Sequence, residues 1–156
     1  MIRTNKYIFL MTLFLVKSLD AHCQIPCGIY DDAIRIIQIK ENFKTIEKSI
    51  SKIIFLSSDS TPLSAQQLVR WTQVKEDHAS KIQKIISEYF LTQRINEKND
   101  NYIKQVTLLQ RLLVTAMKCK QTTNSDYIKE GDVLLKLFCE KYFDAHGLDH
   151  LSKITN

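Results

Sequence analysis

The sequence predicts an all-α protein, an antiparallel four-helix bundle preceded by an irregular N-terminal segment. Three observations carry this. The 156 residues include only three glycines and two prolines, too few for a fold of many tight β turns. Apolar residues recur at spacings of three and four in four separate stretches, the period of helices with one buried face. The breaks between those stretches are short and polar, which suits antiparallel neighbours. With 44% apolar and 25% charged residues, the chain has an ordinary globular balance and the length of one domain.

Residues 1–21 read as a cleaved leader. Arg3 and Lys6 precede an apolar run from Tyr7 to Val16, and Lys17-Ser18-Leu19-Asp20-Ala21 turns polar and ends on a small residue. That order describes a secretory signal peptide. The run falls short of the roughly 20 residues that span a bilayer, so no stable membrane anchor is expected. A cut after Ala21 leaves residues 22–156 and implies export to a periplasmic or extracellular compartment, with a cytoplasmic location as the alternative.

The bundle is expected over 31–145. Its first stripe is Ile36, Ile39, Phe43, Ile46, Ile50 and Ile53, with Lys40, Glu41, Lys44 and Glu47 between. Asp59-Ser60-Thr61-Pro62 breaks it, and Ser64 with Gln67 reads as a capping box opening the second helix. The second stripe is Trp71, Val74, His78, Ile82, Ile85 and Tyr89. After a polar turn over 96–101 the third includes Ile103, Val106, Leu109, Leu113 and Ala116. After another over 121–125 the fourth shows Leu134, Phe138 and Tyr142, with Gly131 costing it roughly 1 kcal/mol relative to alanine. Residues 146–156 look like a frayed tail.

The net charge is +5. Arg3, Lys6 and Lys17 against Asp20 belong to the leader, leaving +3 spread over the remainder. That excludes a nucleic-acid footprint, while a mild positive field suits a small anionic substrate.

The chemistry is concentrated in residues 22–30, where His22, Cys23 and Cys27 lie within six residues. Removal of the leader would give His22 a free α-amine, which titrates near 8 and can deprotonate to bind a metal. Cys23 and Cys27 supply thiolates, and the amide nitrogen between His22 and Cys23 can close a five-membered chelate ring. Two nitrogens and two sulfurs in a plane suit nickel(II) or copper(II), whereas zinc prefers a tetrahedron. The His22 imidazole is left as an axial donor, and Pro26 stiffens the turn that returns Cys27 towards Cys23.

The run His22-Cys23-Gln24-Ile25-Pro26-Cys27-Gly28-Ile29-Tyr30 resembles the metal-binding hook of the nickel-containing superoxide dismutases, His-Cys-x-x-Pro-Cys-Gly-x-Tyr at a processed N-terminus. Arg70-Trp71-Thr72-Gln73-Val74-Lys75-Glu76 and Glu88-Tyr89-Phe90 are similar to the second helix of that family. The resemblance implies a four-helix bundle assembled as a homohexamer, with one nickel ion per subunit, converting superoxide to dioxygen and hydrogen peroxide as an antioxidant enzyme. It also implies metal ligation by His22, Cys23 and Cys27, a screening and water-ordering role for Tyr30, and a maturation protease with a nickel chaperone. The sequence departs from the family in having Gln24 where many members have aspartate. By ungapped count Gln38 falls where the family has a glutamate, and His78 lies near where it has an arginine, the two partners of the histidine imidazole; with a gap that shifts the register, Glu41 is a candidate substitute for the glutamate.

The alternative is an exported helical-bundle protein in which Cys23 and Cys27 form a disulfide or passively carry copper or nickel. His78 reads equally as a hydrogen-bonded core histidine or as a partner of a metal ligand. Cys119 and Cys139 read as small core residues, with a mutual disulfide open to them after export. His146 and His150 read as solvated, and Trp71 as core.

Overall fold

The computed structural model describes residues 31–155. The leader and His22, Cys23, Cys27 and Tyr30 lie outside the described residues. Five helices follow one another, α1 (Asp32–Leu56), α2 (Pro62–Lys84), α3 (Tyr102–Gln121), α4 (Asp126–Tyr142) and α5 (Ala145–Thr155). Among the described residues there is no strand. The first four close a ring in which α1 packs on α2 and α4, and α3 packs on the same two. Neighbours run antiparallel. Asp32 at the start of α1 meets Tyr142 at the end of α4, and Gln105 near the start of α3 donates to the Lys141 carbonyl near that same end.

Local chemistry sets each boundary. Asp31 caps α1, its carboxylate accepting from the Ala33 amide at 2.8 Å, which satisfies one of the helix's orphan donors. The expected capping box at Ser64 and Gln67 is not how α2 begins. Thr61 is the cap, accepting from the Ser64 amide at 3.2 Å, and Pro62 takes the first helical position. Proline suits that place because its ring presets φ and its missing N–H would have had no partner. Ser64 is instead buried inside the first turn, its hydroxyl donating to Asp59.

The predicted stripe of α1 is the observed one, with Ile36, Ile39, Phe43, Ile46 and Ile50 buried and only Ile53 half-exposed. In α2 the stripe is displaced. Trp71, Val74, His78 and Ile85 are half-buried, and the buried line runs Lys75, Ala79, Ile82, Ile86, Tyr89 and Phe90. Two facts account for the shift. Lys75 occupies a core position because its ammonium donates to the Cys119 carbonyl at 2.8 Å and to the Lys120 carbonyl, satisfying the end of α3 and complementing its dipole. Beyond Lys84 the chain continues as a π-helical stretch, Ile85–Arg94, whose wider turn buries both Tyr89 and Phe90. Ile103, expected to face the core, is 70% exposed in the first turn of α3.

Gly131 does not break α4. A Cβ there would come within 2.5 Å of Phe43 Cζ, so the glycine admits the Phe43 ring against the helix backbone. Phe90, Phe138 and Tyr142 complete an aromatic cluster with centroids 5.1–5.5 Å apart. Cys119 and Cys139 are free and buried. Burial pushes their thiols up to about 11 and about 12, so they pack as small apolar residues. The expected tail is a correction: Ala145–Thr155 is a helix, with Leu151 packed on the core. No helix among the described residues is long and apolar enough to cross a membrane.

Candidate metal centre

Two successive carboxylates root the segment that precedes α1. Asp31 caps the helix, as above. Asp32 accepts hydrogen bonds from the Tyr89 hydroxyl and, at 2.7 Å, from the Tyr142 hydroxyl. Its Oδ1 also pairs with Arg94 Nε at 2.9 Å. The π-helical turn makes the last contact geometrically available. Arg94, five residues after Tyr89, lays its guanidinium 4.9 Å from the centre of the Tyr89 ring and donates to the Tyr89 hydroxyl at 2.8 Å. Burial, then the Asp32 carboxylate, raises the pKa of both tyrosines above the ordinary value. Both therefore stay protonated and act as O–H donors.

A second polar group lies along the first turns of α1, facing α2. An open cavity of about 790 Å³ is lined there by Arg35, Gln38, Glu41, Asn42, Lys44, Thr45, His78, Lys81, Lys84 and Ile85. The buried Asn42 donates to the Gln38 carbonyl at 2.7 Å, which leaves its Oδ1 facing His78 Nδ1 at 2.6 Å. His78 must then carry its proton on Nδ1 and keep the Nε2 lone pair. Burial, then Lys81, lowers the His78 pKa, so the ring is neutral near pH 7. His78 is hydrogen-bonded, but it stands half-buried at the wall of this cavity rather than in the core. Gln38 and His78, expected at equivalent positions on two helices, line one cavity, and Gln38 Oε1 accepts from Arg35 at 2.9 Å. Glu41 lines the same cavity.

The described residues contain no group of three His, Cys, Asp or Glu side chains able to hold a metal. The chain has four cysteines, and the two in the bundle are protonated core thiols. The pair that remains is Cys23 and Cys27, beside His22. Soft thiolates with nitrogen donors fit a divalent nickel or copper ion.

The sequence profile of the nickel-containing superoxide dismutases matches residues 17–146. The chain belongs to that family. The match covers the whole run from His22 to Tyr30 and all four helices of the bundle, and it ends at His146, the second residue of α5. Membership brings superoxide as substrate and nickel as the metal of the reaction. No curated protein and no solved structure matches the chain.

Asp31, Asp32, Arg94, Tyr142 and His150 were not legible as site residues. Asp31 alone carried a usable signal, as an aspartate directly before an apolar helical stripe. Tyr142 looked like core because its ring is core; the hydroxyl at its tip finds Asp32 across 110 residues of chain.

Proposed function

We propose that the mature chain begins at His22 and dismutes superoxide at one nickel ion per subunit, held by the His22 amine and imidazole, the Cys23 amide nitrogen and thiolate, and the Cys27 thiolate. The observation that carries this reading is the partition of the cysteines. Two are sealed in the core as thiols, which leaves Cys23 and Cys27, inside the family match, as the thiolate donors. The chemistry nickel supplies when bound is one-electron exchange, oxidising one superoxide to dioxygen and reducing a second, with two protons, to hydrogen peroxide.

The chain's own residues do the rest. Thiolate and amide anions stabilise the higher oxidation state that an aqueous nickel ion resists. Tyr30 would screen the access of small anions to the nickel and order water beside it. Tyr89 and Tyr142 both donate their hydroxyl hydrogens to Asp32 and so hold the start of α1 in place. Arg35, Lys44, Lys81 and Lys84, against Glu41, give the cavity along the first turns of α1 a positive field that favours a small anion. Ile54, Phe55, Leu63 and Val69 are 56–71% exposed, apolar surface that supports assembly as a homohexamer. The apolar leader supports export, with a protease and a nickel chaperone completing maturation.

Cys23→Ser and Cys27→Ser, each made in a chain beginning at His22, test the ligand set. Both are expected to lose nickel and activity while retaining the helical signal of the parent, because the core is built from the helices and the π-helical stretch after α2 and not from residues 22–30. Normal nickel stoichiometry and rate in either variant would overturn the assignment.

A further inference from the structure

Helix α5 lies almost wholly beyond the family match, yet it is tied to the opposite end of the chain. The Asp31 carboxylate is divided between two partners. Its Oδ1 accepts from the Ala33 amide, and its Oδ2 meets His150 Nε2 at 2.6 Å. The contact with His150, ahead of the capping bond to Ala33, holds the Asp31 carboxyl below its ordinary value. Beneath His150, Leu148 and Leu151 line a cleft with Ile36, Leu135 and Cys139, so α5 sits across α1 and α4 at the end where α1 begins.

We propose that α5 is a latch on the root of the N-terminal segment, with His150 as a positioning residue acting through Asp31. A capping aspartate engaged by one oxygen keeps freedom about its side-chain torsions. A second contact on the other oxygen removes that freedom and ties the cap to a separate element. Asp32, the next residue, is already held by Tyr89, Tyr142 and Arg94. Two consecutive residues gripped from α5, α4 and the π-helical stretch fix the start of α1, to which the N-terminal segment is joined. The effect on the metal rests on the reading that His22, Cys23 and Cys27 hold nickel; the grip on α1 does not.

The test compares His150→Ala, His150→Gln and Asp31→Asn with the parent. Gln keeps an N–H donor, and Asn keeps the capping oxygen while losing the charge. In the metal-free full chain, amide exchange at Ala33 and Arg35 is expected to quicken roughly two- to fivefold in His150→Ala and Asp31→Asn, the scale of a half-exposed polar contact. The Ile46 amide, in the core of α1, is expected to stay unchanged, and His150→Gln to recover most of the loss. In the nickel-loaded protein the electronic spectrum of the metal is expected to shift in His150→Ala and return in His150→Gln. Unchanged exchange in His150→Ala would overturn the latch. Faster exchange with an unaltered nickel spectrum would overturn the positioning role. If the parent held nickel without Cys23 and Cys27, the ligand reading would fail while the exchange result still decided the latch.

Discussion

Gly131 and Phe43 show how a single residue is fixed by its neighbour across the bundle. By helix propensity, Gly131→Ala gains about 1 kcal/mol. Here the added methyl meets a fully buried ring at 2.5 Å, and overpacking of that kind costs about 1–3 kcal/mol. The variant is expected to be destabilised in denaturant unfolding, and Phe43→Leu in the same chain to recover part of the loss. A stabilised Gly131→Ala would show that the ring does not lie against α4. His78 gives a prediction in pH. Its folded pKa lies below the ordinary 6.5, so between the two values the unfolded chain binds more protons and stability rises with pH. Stability is therefore expected to fall as pH drops below about 6.5, and His78→Gln, which cannot titrate, to flatten that part of the profile. The sequence showed that both residues were unusual in their helices. What each touched depended on contacts with another helix, and no local pattern encodes those.

At the scale of the element, the buried stripe of α1 was legible almost to the residue because its apolar residues recur at spacings of three and four with charged residues between. The start of α2 was misplaced by three residues because two competing signals lay together. Ser64 with Gln67 has the form of a capping box, but Thr61-Pro62 satisfies the backbone better. The phase of α2 was displaced for a different reason. A lysine at a core position reads as solvent-facing until its partners are known, and those partners are carbonyls 44 and 45 residues away. Lys75→Met keeps the buried stem and removes the donors, leaving the end of α3 without its cap. A loss of about 1–3 kcal/mol is expected for carbonyls so abandoned, together with faster amide exchange over the last turn of α3. Unaltered stability would mean that water replaces the ammonium there. The π-helical stretch had no sequence signal, although it aligns Arg94 with Tyr89 and Asp32.

Across the whole molecule, the bundle and the reactive segment are built from separate parts of the sequence, and they were legible to different degrees. The four-helix architecture followed from periodicity. The metal chemistry was read from nine residues that resemble a family motif; the family match spans them and the four helices, while the nine residues themselves lie outside the described structure. Helix α5 was read as a tail because Gly147 and a short polar run resemble a chain end. Its apolar contacts, Leu148 and Leu151, are too few to make a stripe on their own.

The central claim is that the metal needs His22 as the first residue. In the unprocessed chain the His22 nitrogen is an amide to Ala21; resonance withdraws its lone pair, and it could bind a metal only after a second, unfavourable amide deprotonation beside that of the Cys23 amide. The decisive measurement is the dismutase rate, after nickel loading under reducing conditions, of three forms verified intact by mass: the chain beginning at His22, the same chain with one alanine added before His22, and the 156-residue precursor. Activity is expected in the first form alone, with the single alanine nearly as damaging as the whole leader. Full activity from the alanine-extended chain would contradict ligation by the N-terminus.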